Sequence, residues 1–495
     1  MSATEKSDPQ PLLSRRHMLQ RAGCGAGTMG LLSLLHEEGL LAQDPATSAR
    51  SANPLAPKTS HTRPAAKSVI WLFINGGPSH VDTWDYKPVL AQKSGQSVAG
   101  FDRFTGFFAN AVGGLMPSPF RFRQHGQSGK WVSDLFPHLA HHVDEMACVH
   151  SGYTQSNNHS PALFMMNTGF TQMGFPCVGA WSTYGLGSES RDLPAFVVMS
   201  DPKGRGLPKG YSQNWGAGFL PSIYQGSWLK PQGEPIENLR PPVELTPPRQ
   251  RAQLDLLAYL NQQHQTQRAA QHDLLTRIES FELAYRMQSA APEALDLGGE
   301  SKSTQRQYGL DDPNCRHFAQ QCLLARRMVE RGVRFVQIFS GGPIGGNPRA
   351  SWDAHENVKE NHVQEAARID KPIGALLADL DRRGMLDETL VLFTTEFGRT
   401  PFAQSDKGKV GPGRDHNKGG FSIWMAGAGL KPGSSHGVTD EIGWKTAEDP
   451  VTWHDFHATV MHLLGMNHER LTFYHNGIER RLTNVHGNLI GEILA

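Results

Sequence analysis

The chain has 495 residues, more than one minimal core requires, and this length suits a single large α/β domain with insertions. Its 48 Lys and Arg residues balance 47 Asp and Glu residues, so no global field attracts nucleic acid or an anionic membrane. The 23 His residues are an unusually high number, and several stand in tight polar clusters. Such clusters indicate metal binding, and scattered surface imidazoles are the alternative.

The N-terminus has the pattern of a targeting segment. Ser14 to Leu19 (SRRHML) is a twin-arginine pattern, and a weakly apolar, Gly-rich stretch follows over Ala22 to Leu41. We therefore expect a signal peptide over residues 1–42, export by the twin-arginine machinery, and a periplasmic or extracellular location. The apolar part is too short and too rich in Gly for a membrane span. A disordered basic tail is the alternative, and residues 43–66 predict a flexible linker.

Four cysteines follow the predicted signal peptide. Cys315 and Cys322 lie on one predicted helix, roughly 10 Å apart at a rise of about 1.5 Å per residue, which is too far for a disulfide. An oxidising compartment permits a bond between Cys148 and Cys177, and the sequence leaves that bond open. The Cys spacing is not of the metal-binding kind.

The first predicted strand is the continuous apolar run from Ser68 to Ile74. It ends in the turn Asn75-Gly76-Gly77-Pro78-Ser79, and His80 and Asp82 come directly after it. Glycines let the backbone approach a ligand closely, so His80 and Asp82 are candidate metal ligands. An ordinary Gly-Pro turn with solvated polar residues explains the stretch equally well.

A helical pattern covers Trp131 to Cys148, and a short strand is predicted at residues 147–150. A polar loop then opens an apolar helix over Ala162 to Met166, with Pro161 in its first turn. Because a helix N-terminus favours anions, His159 and Ser160 stand where a nucleophile or an anion-binding group would lie. The alternative is that Ser160 is a simple N-cap.

The middle of the chain carries peripheral elements and then returns to the sheet. Residues Pro194 to Ser200 predict a strand. Residues 250–287 predict a long polar helix. This helix would belong to a peripheral insertion near residues 250–300, or it would form an oligomer contact. A helix over Cys315 to Arg331 and a strand over Val333 to Phe339 follow.

Asp353 and His355 come directly after the Val333–Phe339 strand. A carboxylate with an imidazole suits zinc, manganese or a similar divalent metal. An Asp-x-His match is weak by itself, and its position at a strand exit strengthens it. The sequence therefore offers this pair as candidate metal ligands.

A second group of polar residues follows the next strand. A helix with one apolar face, at Ile369, Ile373 and Leu376, leads to a strand over Thr389 to Thr394, and this crossover predicts a partly parallel sheet. That strand ends in Glu396-Phe397-Gly398-Arg399. A Gly-rich loop then delivers Asp415 and His416 before an apolar run, Phe421 to Ala426. Such a sheet edge is where ligands bind in open α/β folds. Further on, Thr452 and Asp455 form a candidate capping box.

From Ala367 to Gly465 the order of elements resembles the C-terminal half of the alkaline phosphatase and sulfatase superfamily. Asp455, Thr459 and Gly465 fall near positions of the superfamily's last helix. With its twin-arginine start and the stretches GGPSHVDTWD and EFGRTP…GRDHN, the chain also resembles an exported uncharacterised family, domain of unknown function number fifteen hundred and one. The resemblance implies an α/β fold of three α/β/α layers with a mostly parallel central sheet, in a single domain over residues 67–490.

The resemblance also implies a metal site. His159-Ser160-Pro161 is similar to the sulfatase nucleophile helix, but His159 stands where sulfatases carry Cys, Ser or Thr, and Glu396-Phe397-Gly398 stands where they carry Asp-His-Gly. The implied cofactor is one or two divalent metal ions (Zn, Ca, Mg or Mn). The implied ligands are Asp353, His355, Glu396, Asp415 and His416, with His80 or Asp82 completing a site.

Two functions fit these residues. One is an exported metal-dependent hydrolase of phosphate or sulfate esters, acting on a small-molecule or polysaccharide ester, in which His159 or Ser160 lies at the anion end. Arg399 or Arg414 would then stabilise developing negative charge. The other is a non-catalytic exported binding protein that keeps the fold.

Overall fold

The computed structural model describes residues 53–102, 104–201, 210–231, 234–236, 239–240, 245–267, 273–341, 351–406 and 409–495. Pro54–Ala495 form one compact unit. The predicted signal peptide, residues 1–42, and the first part of the predicted linker lie outside the described residues. Within the described ranges, no helix is both long and apolar enough to cross a lipid bilayer.

The described strands and helices are given in chain order. The strands are β1 (Ser68–Ile74), β2 (Val112–Leu115), β3 (Phe122–His125), β4 (Lys130–Ser133), β5 (Met146–Gly152), β6 (Phe196–Ser200), β7 (Ser227–Leu229), β8 (Phe335–Ser340), β9 (Thr389–Thr394), β10 (Gly398–Gln404), β11 (Arg414–Asn417), β12 (Phe421–Gly427), β13 (Ser435–His436), β14 (Val438–Thr439), β15 (Thr446–Glu448), β16 (Phe473–His475) and β17 (Ile478–Arg480). The helices are α1 (His80–Thr83), α2 (Val89–Gln92), α3 (His159–Thr168), α4 (Val178–Leu186), α5 (Pro247–Gln267), α6 (Asp273–Leu295), α7 (Lys302–Tyr308), α8 (Arg316–Glu330), α9 (Val358–Arg382) and α10 (Trp453–Leu463).

The central sheet has eight strands in the order β13-β5-β12-β9-β1-β8-β6-β7. β1 pairs in parallel with β8 and β9, and β6 pairs in parallel with β7 and β8. β12 is antiparallel to both of its neighbours, β9 and β5. The predicted mostly parallel sheet is therefore confirmed. The carboxyl ends of β1, β8 and β9 meet at one edge, which is where β12 begins.

Side-chain alternation along β1 shows how the sheet is covered on both faces. Trp71 and Phe73 pack into a core with α3, α4 and α10, whereas Ile70 and Leu72 pack into a second core with α8 and α9. Because successive residues of a strand point to opposite faces, the two cores lie on opposite sides of the sheet. The predicted three-layer α/β/α architecture is confirmed.

The strands predicted over Ser68–Ile74 and Thr389–Thr394 are confirmed to the residue. The helix predicted over Trp131–Cys148 is wrong, because this stretch holds β4, a single 3-10 turn at Leu139–His142 and the start of β5. Pro137 interrupts the pattern, and the Asp370 carboxylate accepts the N–H groups of His138 (2.9 Å) and Leu139 (2.8 Å). The periodic apolar residues are indeed buried, but the turn at residues 139–142 is capped by Asp370 of α9 and does not extend into a helix.

Two further stretches differ from expectation. The single long helix predicted over 250–287 is two helices, α5 and α6. A salt bridge between Arg251 of α5 and Glu282 of α6 (2.6 Å) links them. The last part of the predicted linker is bound to the domain, since the N–H groups of Lys58 and Thr62 donate to carbonyls of Leu186 and Gly465. An Ala- and Pro-rich composition does not reveal such backbone pairing.

Several smaller expectations concern single residues. The capping box of Thr452 and Asp455 at the start of α10 is confirmed. Cys148 and Cys177 are both buried free thiols, and Cys177 is the N-cap of α4.

His457 on α10 makes stability depend on pH. Its Nε2 donates to the Met166 carbonyl at 2.7 Å, and burial lowers the pKa of the imidazole to about 3. As pH falls from 7 to 5, the unfolded chain takes up a proton that the folded chain does not. The free energy of unfolding should therefore fall by about 2 kcal/mol from this residue alone. We expect His457→Gln, which keeps a donor for Met166, to lose that part of the pH dependence in denaturant titrations.

The matched control is His462→Gln, at an exposed position on the same helix. It should leave the pH dependence of stability as it is in the unaltered chain. Equal pH dependence in the His457→Gln and unaltered proteins would contradict a neutral, buried imidazole at position 457.

Candidate metal centre

Four side chains converge at the edge of the sheet where β8 and β9 end. Asp353 and His355 follow β8, His416 lies in β11, and His159 is the first residue of α3. None of the four is more than 6% exposed. The N-terminus of α3, the segment after β8 and strand β11 thus bring three imidazoles and a carboxylate together.

Asp353 Oδ1 lies at the middle of this cluster. It is 2.8 Å from His355 Nε2, 3.1 Å from His416 Nε2 and 3.4 Å from His159 Nε2. The two nitrogens His355 Nε2 and His416 Nε2 are 2.9 Å apart. His159, Asp353 and His416 lie within 4.8 Å of one another and form the first of two groups of potential metal-ligand atoms among the described residues.

The other nitrogen of each imidazole faces an acceptor. His416 Nδ1 donates to the Asn157 carbonyl (2.6 Å), His159 Nδ1 to Glu396 Oε1 (2.8 Å), and His355 Nδ1 to Gln404 Oε1. Since these oxygens accept, each ring can carry a proton on Nδ1, and its Nε2 is then the atom that faces Asp353 Oδ1, where it can donate a proton to the carboxylate or offer a lone pair to a metal ion. Burial lowers the pKa of His416 well below its usual value, which keeps that ring neutral.

This arrangement of protons fits a divalent metal. Three Nε2 atoms lie 2.8, 3.1 and 3.4 Å from Asp353 Oδ1, an arrangement that is unfavourable unless a cation or a donated proton lies among them. An imidazole whose Nδ1–H is held by a carbonyl or a carboxylate is the usual supporting arrangement of a metal ligand. The residues present therefore fit a metal ion, with Asp353, His416 and His159 as its donor set and His355, 2.8 Å from Asp353 Oδ1, as a further candidate donor.

Glu396 supports this set from behind. Its Oε1 holds His159 and also accepts the Gly76 N–H at 2.9 Å, and its Oε2 accepts from the Thr395 hydroxyl at 3.2 Å. Burial lowers the pKa of His159, but hydrogen bonds to Asp353 and Glu396 outweigh it and raise the pKa. Glu396 therefore holds the His159 ring in place, and its predicted role as a metal ligand stays a prediction.

Arg399 is the counter-ion of Asp353. Its Nη2 lies 2.7 Å from Asp353 Oδ1, and although burial raises the pKa of Asp353, the guanidinium and the imidazole hydrogen bonds hold it far below its usual range. The remaining N–H groups point to His355 Nε2 and to the carbonyls of Gly76, Gly77 and Arg414. Because these donors are already engaged, the geometry favours a positioning role for Arg399. Its predicted contact with an anion stays a prediction.

Asp415 lies beside the cluster. Its Oδ1 accepts the His416 N–H at 2.7 Å, its Oδ2 accepts the Phe108 N–H at 2.9 Å, and Oδ1 is 4.0 Å from His355 Nδ1. Asp415, His355 and His416 make up the second group of potential ligand atoms. Asp353, Glu396 and Asp415 against Arg399 leave two net negative formal charges, which match one divalent cation.

The remaining predicted site residues lie elsewhere. Asp82 forms an ion pair with Arg414 (2.6 Å), and His80 Nε2 donates to the Gly443 carbonyl (2.7 Å). Neither belongs to the cluster. Ser160 is half-buried in the first turn of α3, and the alternative that it is the N-cap is wrong, because Asn158 is the N-cap.

Aromatic rings that sequence reasoning missed surround the imidazoles. Phe397 lies 4.5 Å from the His416 ring and 4.8 Å from the His159 ring. Phe107 lies 4.9 Å from His416 and Phe108 lies 5.0 Å from His355, and these two Phe rings are 39% and 40% exposed. The only signal in the sequence was the density of Phe over residues 101–108, which by itself predicts nothing about a site.

Comparisons with known proteins place the chain in a family. It matches the model of a family described as a protein of unknown function (DUF1501) over residues 66–494, and no curated protein matches its sequence. The family expected from the sequence is thereby confirmed.

Similar solved structures include a sulfatase from Pseudoalteromonas sp., at 12% identity over 86% of this chain and 73% of that chain, with a TM-score of 0.34. Alkaline phosphatase from the Antarctic bacterium TAB5 is 12% identical over 78% of this chain and 96% of that chain, with a TM-score of 0.30. A lipoteichoic acid synthase from Listeria monocytogenes is 10% identical over 87% and 79%, with a TM-score of 0.34. Likenesses this remote carry no argument about the site.

Proposed function

The chain belongs to the DUF1501 family, and from its site we propose that it is a metal-dependent hydrolase of phosphate or sulfate esters. The observation that carries the proposal is the convergence of three Nε2 atoms on Asp353 Oδ1, with each Nδ1 held by an acceptor. Three imidazoles and one carboxylate favour zinc among the candidate ions, since oxygen-rich sites suit magnesium and calcium. A bound metal would supply Lewis-acid chemistry to an ester oxygen.

The residues of the chain have separate tasks in this proposal. Asp353, His355, His416 and His159 would hold the metal, and Glu396 would keep the His159 ring in the tautomer that leaves Nε2 free for it. The N-terminus of α3 faces the same region and favours the negative charge of an ester group. Ser160, in that first turn, is the nearest hydroxyl of α3 to His159 along the chain and remains the proposed nucleophile if the route is covalent. Direct attack by water is the alternative route.

Export is a second part of the proposal. The twin-arginine pattern of residues 14–19 supports a periplasmic or extracellular enzyme that acts on a small-molecule or polysaccharide ester. The twin-arginine route carries folded proteins, which suits a protein that binds its metal before export.

The test is metal analysis of the purified full chain combined with assays on aryl phosphate and aryl sulfate. We expect about one equivalent of a divalent metal and turnover that a chelator removes. A chain that hydrolyses these esters without any bound metal would overturn the proposal.

A non-catalytic binding protein is the second candidate. Arg399 uses its donors within the protein, and His159 stands at the position expected for a nucleophile. Bound metal with no hydrolysis of any phosphate or sulfate ester in a broad substrate panel would favour this candidate over the hydrolase.

Gly106 offers a test of how the centre is covered. A Cβ at this position would lie 2.2 Å from Asp415 Oδ2, so the segment carrying Phe107 and Phe108 reaches Asp415 only because residue 106 is Gly. We expect Gly106→Ala to unseat these rings from the imidazoles and to speed removal of metal by a chelator on the order of tenfold. Phe104→Ala, on the same segment and 63% exposed, is the control. Equal rates in both variants would show that the segment does not cover the centre.

A further inference from the structure

An exposed stack of three aromatic rings lies on the hairpin formed by β3 and β4. The Tyr86 ring, from the segment before the hairpin, packs against Phe122, at 4.9 Å between centroids, and against Trp131, at 4.7 Å. Tyr86 is 37% exposed and Trp131 is 41% exposed. All ten tryptophans lie in the described residues, and Trp131 is the only one of them among the exposed large apolar side chains. We name these three rings the aromatic platform.

The register of the hairpin explains why Trp131 faces outward. Trp131 is opposite Gln124, and Phe122 is opposite Ser133, so Phe122 and Trp131 share one face of the hairpin. Val132, on the other face, is buried in the core. Val132 anchors the hairpin in the core, whereas 41% of the Trp131 side chain stays exposed. A large ring held half in water therefore indicates a binding surface.

A cleft of about 310 Å³ opens beside the platform. Trp84 and Val143 contribute an apolar floor, whereas Lys130, His150 and Ser435 contribute polar walls. The volume lies at the low end of the range for ligand sites, about 300–1,000 Å³. One ring-sized group, apolar on one face and polar at its rim, suits this lining.

The charges around the cleft are satisfied within the protein. Lys130 Nζ donates to the Ser434 carbonyl (2.6 Å) and to Ser435 Oγ (2.6 Å), and Asp85 pairs with Lys87 at 3.0 Å. A ligand would therefore meet hydroxyl and imidazole groups rather than a free charge. This disfavours a phosphate or an acidic peptide, and the polar walls disfavour a lipid chain.

We propose that the aromatic platform and its cleft bind a neutral carbohydrate chain. A pyranose ring presents C–H groups on one face, which the negative faces of the Trp131 and Tyr86 rings attract, and hydroxyls at its rim for Ser435 and His150. The residues of the candidate metal centre do not line this cleft within the described chain. The site is thus a second binding site, and its existence does not depend on the chemistry at the metal centre.

The experiment is native electrophoresis of the full chain in gels that contain hydroxyethyl cellulose, xyloglucan, galactomannan or xylan. We expect at least one of these neutral polysaccharides to retard the protein and to shift the fluorescence of Trp131. Trp131→Ala and Tyr86→Ala should each weaken retardation by at least about tenfold, because each removes a stacking ring. Tyr474→Ala removes another exposed aromatic side chain, 67% exposed, and should bind as the unaltered chain does.

Each other outcome overturns the proposal. Failure of all four polysaccharides to retard the folded protein would exclude a neutral-carbohydrate site. Retention of binding in Trp131→Ala, with its melting temperature unchanged, would place any carbohydrate site elsewhere. Concentration-dependent self-association that disappears in Trp131→Ala, without carbohydrate binding, would identify the platform as a contact between two copies of the chain.

Discussion

Replacing His416 with alanine should remove metal from the protein and lower ester hydrolysis by on the order of 100-fold or more. His416 Nε2 lies close to both Asp353 Oδ1 (3.1 Å) and His355 Nε2 (2.9 Å). His416 is also the residue that the two groups of potential metal ligands share. Its loss leaves the remaining donors without the ligand that links them. Metal content measured by elemental analysis and turnover of an aryl ester should fall together, while the circular dichroism spectrum stays unchanged.

A graded series separates ligands from the groups that orient them. Glu396→Gln removes the carboxylate that holds His159 but keeps a side-chain oxygen at the same place, and the expected loss of metal affinity is about 10–100-fold. His462→Ala, on the surface of α10, is the control for removal of an imidazole. If His416→Ala keeps a full equivalent of metal, the converging lone pairs do not form a metal site.

The sequence predicted the sheet well because its strands are continuous apolar runs. β1 and β9 are buried on both faces, so every residue in them is apolar or small, and their bounds can be read directly. Asp353 and His416 could be found for a related reason, since polar residues after β8 and just before β12 lie at the same edge of the sheet. The sequence indicated which segments meet there, and the structure shows that they do.

The roles of the individual residues could not be predicted in the same way. Glu396 and Asp353 both follow buried strands, but one orients His159 and the other lies among the imidazoles, which is a difference in side-chain direction and not in spacing. Gln404 and the Asn157 carbonyl fix two tautomers, and an amide or a backbone carbonyl carries no sequence signal for this role. Phe107 and Phe108 reach the centre from residues remote in the chain. Long-range packing of this kind lies beyond periodicity and composition.

Replacing Asp82 with alanine should lower the stability of the protein and leave its metal binding unchanged. The carboxylate forms a bidentate pair with Arg414, at 2.6 Å and 3.2 Å, and both side chains are fully buried. The guanidinium of Arg414 keeps the pKa of Asp82 below its usual value, although burial raises it. Asp82→Ala leaves the Arg414 charge buried without its partner, which costs about 3–5 kcal/mol of unfolding free energy. Denaturant titration of the two proteins measures this loss.

The double variant Asp82→Ala with Arg414→Met tests the cause of that loss. Removing the stranded charge should restore part of the stability, because an apolar side chain needs no counter-ion in the interior. Arg414 also donates to the Thr400 and Met116 carbonyls at 3.0 Å each, so restoration should be incomplete. Metal content should be unchanged in Asp82→Ala, since Asp82 lies outside the donor set. Loss of metal without loss of stability would instead identify Asp82 as a metal ligand. Breaking a buried ion pair lowers the free energy of unfolding, whereas removing a ligand lowers the metal content.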